Sequence, residues 1–322
     1  MTTNKTPSAI TVTGLRKSYG DQVVLDGIDL DIPEGSVFSL LGPNGAGKST
    51  AVKIMSTLTA PDAGTVTING HDLARNPDGV RASIGVTGQF SAVDILLTGE
   101  ENLRLMVDLG HLDRPVGRQR CAELIEQFDL GEVARKPVVT YSGGTRRRLD
   151  LAMTLVGAPR IIFLDEPTTG LDPRARRTTW QVIRDLVADG VTIFLTTQYL
   201  EEADQLADQL AVLDHGRLIA EGTPEELKGR VPGGSISLNF ATATALNDAA
   251  RALGGQSIRN DDDLSLQIPS DGSALAVQGV LNRLDIGSIR NLSLHTPDLD
   301  DVFLALTGKP STNEKKDQED QQ

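Results

Sequence analysis

The sequence lacks the features that mark several classes of protein. Its 322 residues include one cysteine, Cys121, which excludes an intramolecular disulfide, and nothing points to an oxidising compartment. Lys and Arg number 31 against 44 Asp and Glu, and the net charge of -13 argues against a nucleic-acid binder. Residues 1–10 lack the pattern of a signal peptide, and no apolar run is long enough to cross a bilayer. We therefore expect a soluble chain, so that any path across a membrane belongs to another subunit.

Apolar runs alternate with helical patterns over residues 1–230. The continuous or alternating apolar segments predict strands at 11–15, 22–31, 37–42, 66–69, 84–87, 161–164, 191–197 and 210–214. Apolar spacings of three and four predict helices from about 47 and over 100–112, 118–128, 145–156, 173–189 and 199–207. This alternation favours an α/β domain with a mostly parallel sheet covered on both faces.

The pattern changes after Pro232-Gly233-Gly234. Residues 231–308 predict strand, helix, two strands, helix and strand, the βαββαβ order of a small ferredoxin-like α+β domain. Four Arg against nine Asp give this stretch a net charge of -5, and it has no glycine-rich phosphate site. We predict an accessory or dimerisation domain there, followed by a disordered tail at 309–322, where apolar residues are scarce.

The first motif with chemistry is a glycine-rich segment between a predicted strand and a predicted helix. It fits the phosphate-loop pattern G-x-x-x-x-G-K-[ST], and its residues are Gly42, Pro43, Asn44, Gly45, Ala46, Gly47, Lys48, Ser49 and Thr50. Glycines let successive N–H groups point at phosphate oxygens at a helix N-terminus. We expect Lys48 to bridge the β- and γ-phosphates, Ser49 to ligate Mg²⁺ and Thr50 to reach the α-phosphate.

Two carboxylates follow the apolar strand at 161–164. Asp165 and Glu166 stand at its C-terminal end, where doubly wound sheets bind their ligands. Because adjacent strand residues face opposite ways, we expect the pair to do two jobs. Asp165 would hold hydrated Mg²⁺, and Glu166 would polarise the water that attacks the γ-phosphate. A charged loop is the plainer interpretation of the pair alone, but the phosphate loop upstream argues against it.

A Ser-Gly-Gly turn lies between these two motifs and before a predicted helix. The N–H groups and hydroxyl of Ser142, Gly143 and Gly144 stand at a positive helix end, ready for an anion. A second anion-binding surface on one chain indicates a nucleotide held by another chain, whereas an ordinary Ser N-cap is the alternative. The basic run that follows, residues 146–148, is either a solvated face or a contact with the nucleotide or a partner subunit.

In this order the phosphate loop, YSGGT (141–145) and LDEP (164–167) resemble the ATP-binding cassette (ABC) ATPases. The resemblance implies a phosphate-loop NTPase fold with a helical subdomain between the first two motifs. It also implies two ATP molecules closed between two chains in a head-to-tail dimer. Tyr141 and Thr145 replace the leucine and glutamine usual in the family, which leaves the turn intact but alters its flanks.

The resemblance assigns roles to four further residues. Tyr19 would stack on adenine, Gln89 would link the metal site to the transmembrane partner, and Asp172 would lie in the loop that crosses the dimer interface. A surface tyrosine and plain turn residues are the alternatives. Gln198 stands where most of the family place a histidine near the γ-phosphate. Since glutamine donates a hydrogen bond but takes no proton, we expect Gln198 to sense the γ-phosphate and Glu166 to carry more of the catalysis.

Two further segments narrow the resemblance to the daunorubicin-resistance type of drug-exporter ATPase. They are TTQYLEEADQLAD (196–208) and LDDVFLALTG (299–308), and for the second a closing helix and a role in assembly both stay open. The resemblance implies an ATP-hydrolysing homodimer at the cytoplasmic face of the cell membrane. It would drive efflux of a drug, antibiotic or other hydrophobic compound through a separate permease, with no nucleic-acid partner.

Two other functions remain as alternatives to export. One is the ATPase subunit of an importer. The other is a non-transport cassette ATPase acting on ribosomes or DNA, which would usually carry two cassettes, a coiled-coil insertion or a basic surface. The sequence has none of these three features. Two non-identical cassettes also remain possible in place of a homodimer.

Overall fold

Five of the predicted strands, at 37–42, 84–87, 161–164, 191–197 and 210–214, lie together in a six-stranded sheet. The computed structural model describes residues 7–88, 92–231, 234–255, 257–270 and 273–307. The chain divides into two units at Pro224 and Glu225. Gln89 and the predicted disordered tail, 309–322, lie outside the described residues.

The first unit contains ten strands among its described residues. They are β1 (Ser8–Tyr19), β2 (Gln22–Pro33), β3 (Val37–Leu41), β4 (Ala63–Ile68), β5 (His71–Asp72), β6 (Ile84–Thr87), β7 (Ile161–Asp165), β8 (Thr192–Thr197), β9 (Gln209–Asp214) and β10 (Arg217–Gly222). Strands β3, β7 and β8 are buried along their whole length. Their unbroken apolar sequences therefore fit a sheet covered on both faces.

The described helices of the first unit lie between these strands. They are α1 (Lys48–Met55), α2 (Pro77–Ser83), α3 (Gly99–Leu109), α4 (Arg114–Gln127), α5 (Gly143–Thr154), α6 (Pro173–Ala188) and α7 (Leu200–Leu206). A short 3₁₀ turn, Val138–Thr140, precedes α5. Helices α3 and α4 form the helical insertion that the sequence predicts between the phosphate loop and the Ser-Gly-Gly turn.

Two sheets share the first unit. The larger has the order β10-β9-β3-β8-β7-β6 and is parallel except for β10, and the smaller is antiparallel with the order β2-β1-β4-β5. Phe38, Phe194 and Phe163 are in register on β3, β8 and β7, with ring centroids 5.6 and 5.5 Å apart. They join one core with the small sheet and α1, while Leu164 and Leu195 join a second core with α3 to α6.

The parallel strands set the position of the candidate site. Because β3, β8 and β7 are neighbours and run the same way, their carboxyl ends meet at one edge of the sheet. The phosphate loop follows β3, Gln198 follows β8, and Asp165 ends β7. This edge is called the phosphate-loop edge below.

Local capping explains where α3 begins. Thr98 accepts a hydrogen bond from the Glu101 N–H, and Glu101 accepts one from the Thr98 N–H, which together form a capping box. The buried residues Leu103 and Val107 then follow at the helical spacing. Asn102, also buried, bonds the Asp94 backbone at 2.9 Å through both its oxygen and its nitrogen, so the helix fixes the loop before it.

Several predicted boundaries were wrong by a few residues. Strands β1 and β2 extend beyond the predicted segments because a long antiparallel ladder pairs them up to the turn at Gly20. The predicted start of α5 at Thr145 is two residues late, since Ser142 caps the helix and Gly143 begins it. Helix α2 was not predicted, although Asn76 caps it ahead of Pro77, a readable start signal.

The second unit, described by itself, shows the βαββαβ order. Its elements are α8 (Pro224–Arg230), which begins at the division, β11 (Ser235–Phe240), α9 (Ala243–Leu253), β12 (Ile258–Asn260), β13 (Ser265–Pro269), α10 (Ala274–Leu281), β14 (Ile289–His295) and α11 (Leu299–Thr307), with a 3₁₀ turn at Ile286–Ser288. The sheet order is β12-β13-β11-β14, all antiparallel. Ile236, Leu238 and Leu246 lie in its core.

The segment LDDVFLALTG becomes helix α11 over its described residues. Leu299, Val302 and Phe303 are buried at helical spacing. None of the described helices has both the length and the apolar character needed to cross a membrane.

Candidate functional site

The phosphate loop leaves β3 at Gly42, which lies too close to its neighbours for a side chain. A Cβ there would stand 2.3 Å from the Leu213 carbonyl oxygen, and the Gly42 N–H donates to the Thr197 carbonyl at 3.3 Å. At the other end, Gly47 has φ +113°, and a Cβ on it would stand 2.7 Å from the Val24 carbonyl oxygen. Both glycines are therefore fixed by close approach, and the second also by its left-handed backbone.

The first turn of α1 leaves its N–H groups without a side-chain cap. Gly47 is the N-cap residue and offers no side chain, so the N–H groups of Lys48, Ser49 and Thr50 are open to a ligand. Asn44 and Gly45 are exposed at the tip of the loop, whereas Gly47 and Lys48 are buried. An uncapped helix start beneath an exposed loop has the geometry that suits phosphate.

The side chain of Lys48 is held inside the phosphate loop by backbone carbonyl groups of the loop. Its Nζ donates to the Gly42 oxygen at 2.7 Å and the Pro43 oxygen at 3.2 Å, and it lies 3.7 Å from Glu166 Oε1. Burial lowers the pKa of Lys48, while the carboxylates of Glu166 and Asp165 act in the opposite direction. The ammonium is therefore positioned beside the acidic pair.

Asp165 collects two hydroxyl donors at the end of β7. Its Oδ1 accepts from Ser49 Oγ at 3.2 Å and from the buried Thr196 Oγ1. A carboxylate and a hydroxyl at this separation offer the hard oxygen ligands that Mg²⁺ prefers, and Mg²⁺ is commonly held by one carboxylate with phosphates and water. The residues present fit the predicted metal. Gln89, also expected at the metal site, lies outside the described residues.

The side chains of Glu166 and Asp165 point in different directions, but not because of strand alternation, as was predicted. Strand β7 ends at Asp165, and Glu166 has φ +51°, so strand alternation does not set its direction. Its N–H donates to both the carbonyl and the hydroxyl oxygen of Thr196, at 3.1 and 3.2 Å. Thr169 Oγ1 donates to Glu166 Oε2 at 3.3 Å. A left-handed backbone costs free energy for a residue other than glycine. At Glu166 this conformation turns the side chain towards Lys48.

Gln198 lies in a turn just beyond β8. Thr197 Oγ1 accepts from the Tyr199 N–H at 2.9 Å, which closes the turn around Gln198, and the Thr197 carbonyl accepts from Gly42. The same residue therefore ties the Gln198 turn to the start of the phosphate loop. The prediction that Gln198 lies at the phosphate-binding end of the sheet is consistent with this placement.

Tyr19 ends β1 with half of its side-chain surface exposed, at 50%. Lys17 Nζ lies 5.4 Å from the ring centroid. Tyr19 pairs with Gln22 of β2, and the same strand reaches the phosphate loop at Val24, whose carbonyl faces Gly47. An exposed ring on this strand is compatible with stacking on a base.

The Ser-Gly-Gly turn forms the first turn of α5 rather than a free loop. Ser142 Oγ accepts from the Thr145 N–H at 3.1 Å and also bonds Thr145 Oγ1 at 2.8 Å. The N-cap interpretation is therefore correct for the Ser142 side chain, and Thr145 takes part in the cap. Tyr141 is buried, and its hydroxyl donates to the Val133 carbonyl at 2.6 Å, which anchors the turn to the loop after α4.

A cavity of about 350 Å³ lies where the first turns of α5 and α6 meet. Ser142, Gly144 and Asp172 line it together with Arg148 and Arg174. The helix starts approach closely, since a Cβ on Gly144 would stand 2.9 Å from that of Ala175. No phosphate-loop residue is among the described residues that line this cavity, called the SGG cavity below.

Asp172 is the N-cap of α6. Its Oδ1 accepts from the Ala175 N–H at 2.9 Å, so its side chain has a structural role at the turn. Its position on the SGG cavity places it beside Ser142 and Gly144. The structure thus brings Asp172 and the SGG turn together, away from the phosphate loop.

The basic run is not a solvated face. Arg147 is buried and pairs with Asp150 at 2.9 Å, and burial lowers its pKa. Arg148 donates to the carbonyls of Phe128 and Asp129 at 2.9 and 3.1 Å. Two of the three arginines therefore bind within their own chain, because α5 packs its first turns against neighbouring helices and loops.

Sequence reasoning missed three polar residues near the site. They are Thr196, beside Asp165, and Thr168 and Glu202, which bond each other at 2.8 Å. The readable signal for Thr196 was a polar residue within a strand otherwise predicted to be buried, since buried polar groups need partners.

Comparison by sequence matches the chain to one family and to individual proteins of known name. The family described as "ABC transporter" matches residues 25–169. A daunorubicin resistance ATP-binding protein of Streptomyces coeruleorubidus is 48% identical over 304 residues, covering 94% of this chain and 96% of that protein. A daunorubicin/doxorubicin resistance ATP-binding protein of Streptomyces peucetius is 47% identical, with 97% of each chain covered.

The fold has close counterparts among solved structures. One is a dimeric ATP-binding cassette in a post-hydrolysis state, bound to ADP and phosphate. It shares 28% sequence identity with a TM-score of 0.60, covering 66% of this chain and 98% of its own.

Proposed function

We propose that this chain, which belongs to the ATP-binding proteins of the ABC transporter family, drives drug export through a separate permease. The chain is an ATPase of this family. The proposed cargo class, a drug, antibiotic or other hydrophobic compound, rests on the resistance named for the two relatives that match along nearly the whole chain.

The separation of the two anion-binding surfaces carries the proposal. The phosphate-loop edge contains Lys48, Ser49 and Asp165, whereas the SGG cavity contains Ser142 and Asp172 and no described phosphate-loop residue. One chain therefore offers two half-sites instead of one complete site. Two copies in head-to-tail contact would bring each phosphate loop against the partner's SGG turn, as expected for an isologous contact with two-fold symmetry.

The phosphate loop would bind ATP by exchanging its internal bonds for bonds to phosphate. Lys48 is satisfied by the carbonyls of Gly42 and Pro43, and phosphate oxygens are stronger acceptors for an ammonium than neutral carbonyls. The open N–H groups at the start of α1 would hold the remaining phosphate oxygens. Tyr19 would stack on the adenine ring through its exposed face.

Mg²⁺, held by Ser49 and Asp165 with a role for Gln89, would supply positive charge that offsets the charge developing on the phosphates. Thr196 keeps the Asp165 carboxylate oriented through its hydroxyl. The Asp165 side chain is thus prepared to accept a hard cation without rearranging.

Glu166 would accept a proton from the attacking water. In this structure its carboxylate lies 3.7 Å from Lys48, so binding of phosphate to Lys48 would release it for that task. Its backbone is fixed by two bonds to Thr196, and its Oε2 accepts from Thr169, so both contacts aim the base. Gln198 would donate an amide hydrogen bond to the γ-phosphate and so report whether it is present.

Paired chains would couple hydrolysis to transport. ATP held between two copies favours the closed pair, and hydrolysis releases it, which is a population shift with a defined ligand. We propose a homodimer, because each half-site is present on this one chain. The closure would act on a transmembrane permease that also holds the pair at the membrane surface.

The test uses Glu166→Gln, which keeps the shape of the side chain but removes its ability to take a proton. Purified Glu166→Gln with Mg²⁺ and ATP should elute as a dimer by light scattering, and as a monomer without nucleotide. The matched control, Glu166→Gln combined with Lys48→Ala, should remain monomeric because it lacks the phosphate-binding ammonium. A Glu166→Gln protein that stays monomeric at saturating ATP would rule out the shared site.

A further inference from the structure

A group of buried charged side chains lies next to the catalytic segments and has no part in the reaction described above. It consists of Arg147 and Asp150 on α5 and Glu202 on α7, and we call it the buried charge cluster. The side chains of Arg147 and Asp150 are 10% and 4% exposed, and Glu202 is fully buried. Burying a charged group costs free energy unless the group is paired and hydrogen-bonded. The partners of each side chain in the cluster therefore determine what its burial costs.

The Asp150 side of the cluster holds the chain on both sides of Gln89. Arg147 Nη1 donates to Asp150 Oδ2 at 2.9 Å, and Asp150 Oδ1 accepts from the Ala92 N–H at 3.3 Å. One turn further along α5, Thr154 bonds the hydroxyl of Thr87 at 2.9 Å. Helix α5, which starts at the SGG turn, therefore fixes the segments just before and just after Gln89.

The Glu202 side of the cluster holds the segments that carry Glu166 and Gln198. Glu202 Oε1 accepts from Thr168 Oγ1 at 2.8 Å and from Trp180 Nε1 at 3.2 Å. Burial raises the pKa of Glu202, and the side chains of Thr197, Thr168 and Trp180 counteract that effect. Thr168 lies two residues after Glu166, and Thr197 immediately precedes Gln198. One carboxyl group thus supports both the proposed base and the proposed sensor.

The two sides of the cluster are not joined by a hydrogen bond in the described part of the chain. Arg147 Nε and Nη2 are buried donors without a partner, and Glu202 Oε2 is a buried acceptor without one. Burial lowers the pKa of Arg147, and the carboxylates of Asp150, Glu202 and Asp165 act in the opposite direction. Unsatisfied donors and an unsatisfied acceptor within the same interior are complementary, and such groups are rare in folded proteins.

We propose that Arg147 is a positioning residue that joins the two sides of the cluster when ATP binds. Its free donors then engage Glu202 Oε2 while Nη1 keeps its bond to Asp150. The closed arrangement links α5 and the flanks of Gln89 to the segments of Glu166 and Gln198. The guanidinium thereby provides the two discrete states that coupling between distant groups requires. The inference rests on the roles proposed above for Glu166, Gln198 and the SGG turn.

The experiment is a double-mutant cycle on the full chain with steady-state ATP hydrolysis as the readout. Arg147→Gln and Glu202→Gln should each lower kcat by about tenfold, the range expected for loss of a coupling contact. KM for ATP should stay within about twofold, because neither residue contacts the phosphate loop. The double variant should lose no more than either single variant, since both act through the same contact.

Arg75→Gln is the matched control. Arg75 is an exposed arginine before α2, and its loss removes the same charge without touching the cluster. It should leave kcat unchanged. If Arg147→Gln does not fold, Arg147→Lys takes its place in the cycle, because it keeps the buried charge but not the spare guanidinium donors.

Two results would overturn the inference. One is additive losses in the double variant, which would show that Arg147 and Glu202 act independently. The other is an unchanged kcat with only a lower melting temperature, which would leave the cluster a structural role. Wild-type turnover and the ATP-dependent dimer of Glu166→Gln are measured separately, so failure of the proposed function is distinguishable from failure of this coupling.

Discussion

The phosphate-loop edge and the SGG cavity both suit an anion, yet they are built in opposite ways. At the edge, Lys48 and Asp165 are buried and bonded to partners on the phosphate loop, on α1 and on β8. At the cavity, Ser142 is exposed, and within the described part of the chain its hydroxyl bonds only Thr145 of its own helix turn. This difference is the basis of the proposal that the edge binds nucleotide by itself, whereas the cavity needs a second chain to become a site.

The largest expected effect is the loss of ATP binding in Lys48→Met. This variant tests whether the phosphate-loop edge of a single chain binds ATP without a partner chain. Removing a charge-assisted hydrogen bond to phosphate should weaken ATP affinity by about 100-fold. Calorimetry with monomeric protein measures it. Lys53→Met, an exposed lysine on the same helix, should bind ATP as the wild type does. Equal affinity in the two variants would contradict the assigned role of Lys48.

The next effect separates the two half-sites. Ser142→Phe places a bulky ring at the SGG cavity, so turnover should fall at least about tenfold while ATP affinity of the monomer stays within about twofold. Ser142→Thr, which keeps the capping hydroxyl, should retain most of the turnover. Reduced ATP binding by the Ser142→Phe monomer would mean that the SGG turn serves the nucleotide of its own chain.

A smaller effect is expected for Gln198→Ala at the phosphate-loop edge. Loss of one neutral hydrogen bond to the γ-phosphate should lower kcat by about two- to tenfold. ADP affinity should be unaffected, since ADP has no γ-phosphate. Unchanged ATP hydrolysis in Gln198→Ala would refute the sensor role.

The smallest effect concerns Glu202 of the buried charge cluster. Burial raises the pKa of Glu202 above its ordinary value of 4.5. The native state therefore binds the proton more tightly than the unfolded state, and stability present below pH 4.5 is lost as pH rises through the folded-state pKa. Glu202→Gln does not titrate, so its free energy of unfolding should fall less with rising pH. Denaturant unfolding at a series of pH values from 4.5 upwards measures the free energy of unfolding of the wild type and of Glu202→Gln. If the two proteins show the same dependence on pH, the pKa of Glu202 does not change on folding.

Sequence reasoning was most successful where one residue type has one physical use. Gly42, Gly47 and Lys48 could be placed from their spacing, because only glycine tolerates the close approach of the Leu213 and Val24 carbonyls. The parallel direction of β3, β7 and β8 also followed from the alternation of apolar runs with helices, although their spatial order did not. The family resemblance is confirmed by relatives that match along nearly the whole chain.

The rest depended on tertiary contacts that no local pattern records. The left-handed conformation of Glu166 is imposed by its bonds to Thr196 on a neighbouring strand, so strand alternation gave the wrong reason for its direction. Arg147 is buried because it pairs with Asp150 and because helices pack around it. The residues before and after it are also arginines, so its sequence context does not mark it as buried. A basic run reads alike in sequence whether its members face solvent or the core.

Mixing two inactive variants tests the division into half-sites most directly. A heterodimer of Lys48→Ala and Ser142→Phe contains one site with both defects and one intact site, formed by the phosphate loop of the second chain and the SGG turn of the first. Random pairing should restore about a quarter of wild-type ATP turnover. If the mixture hydrolyses ATP no faster than either variant alone, the two half-sites do not meet across a pair of chains.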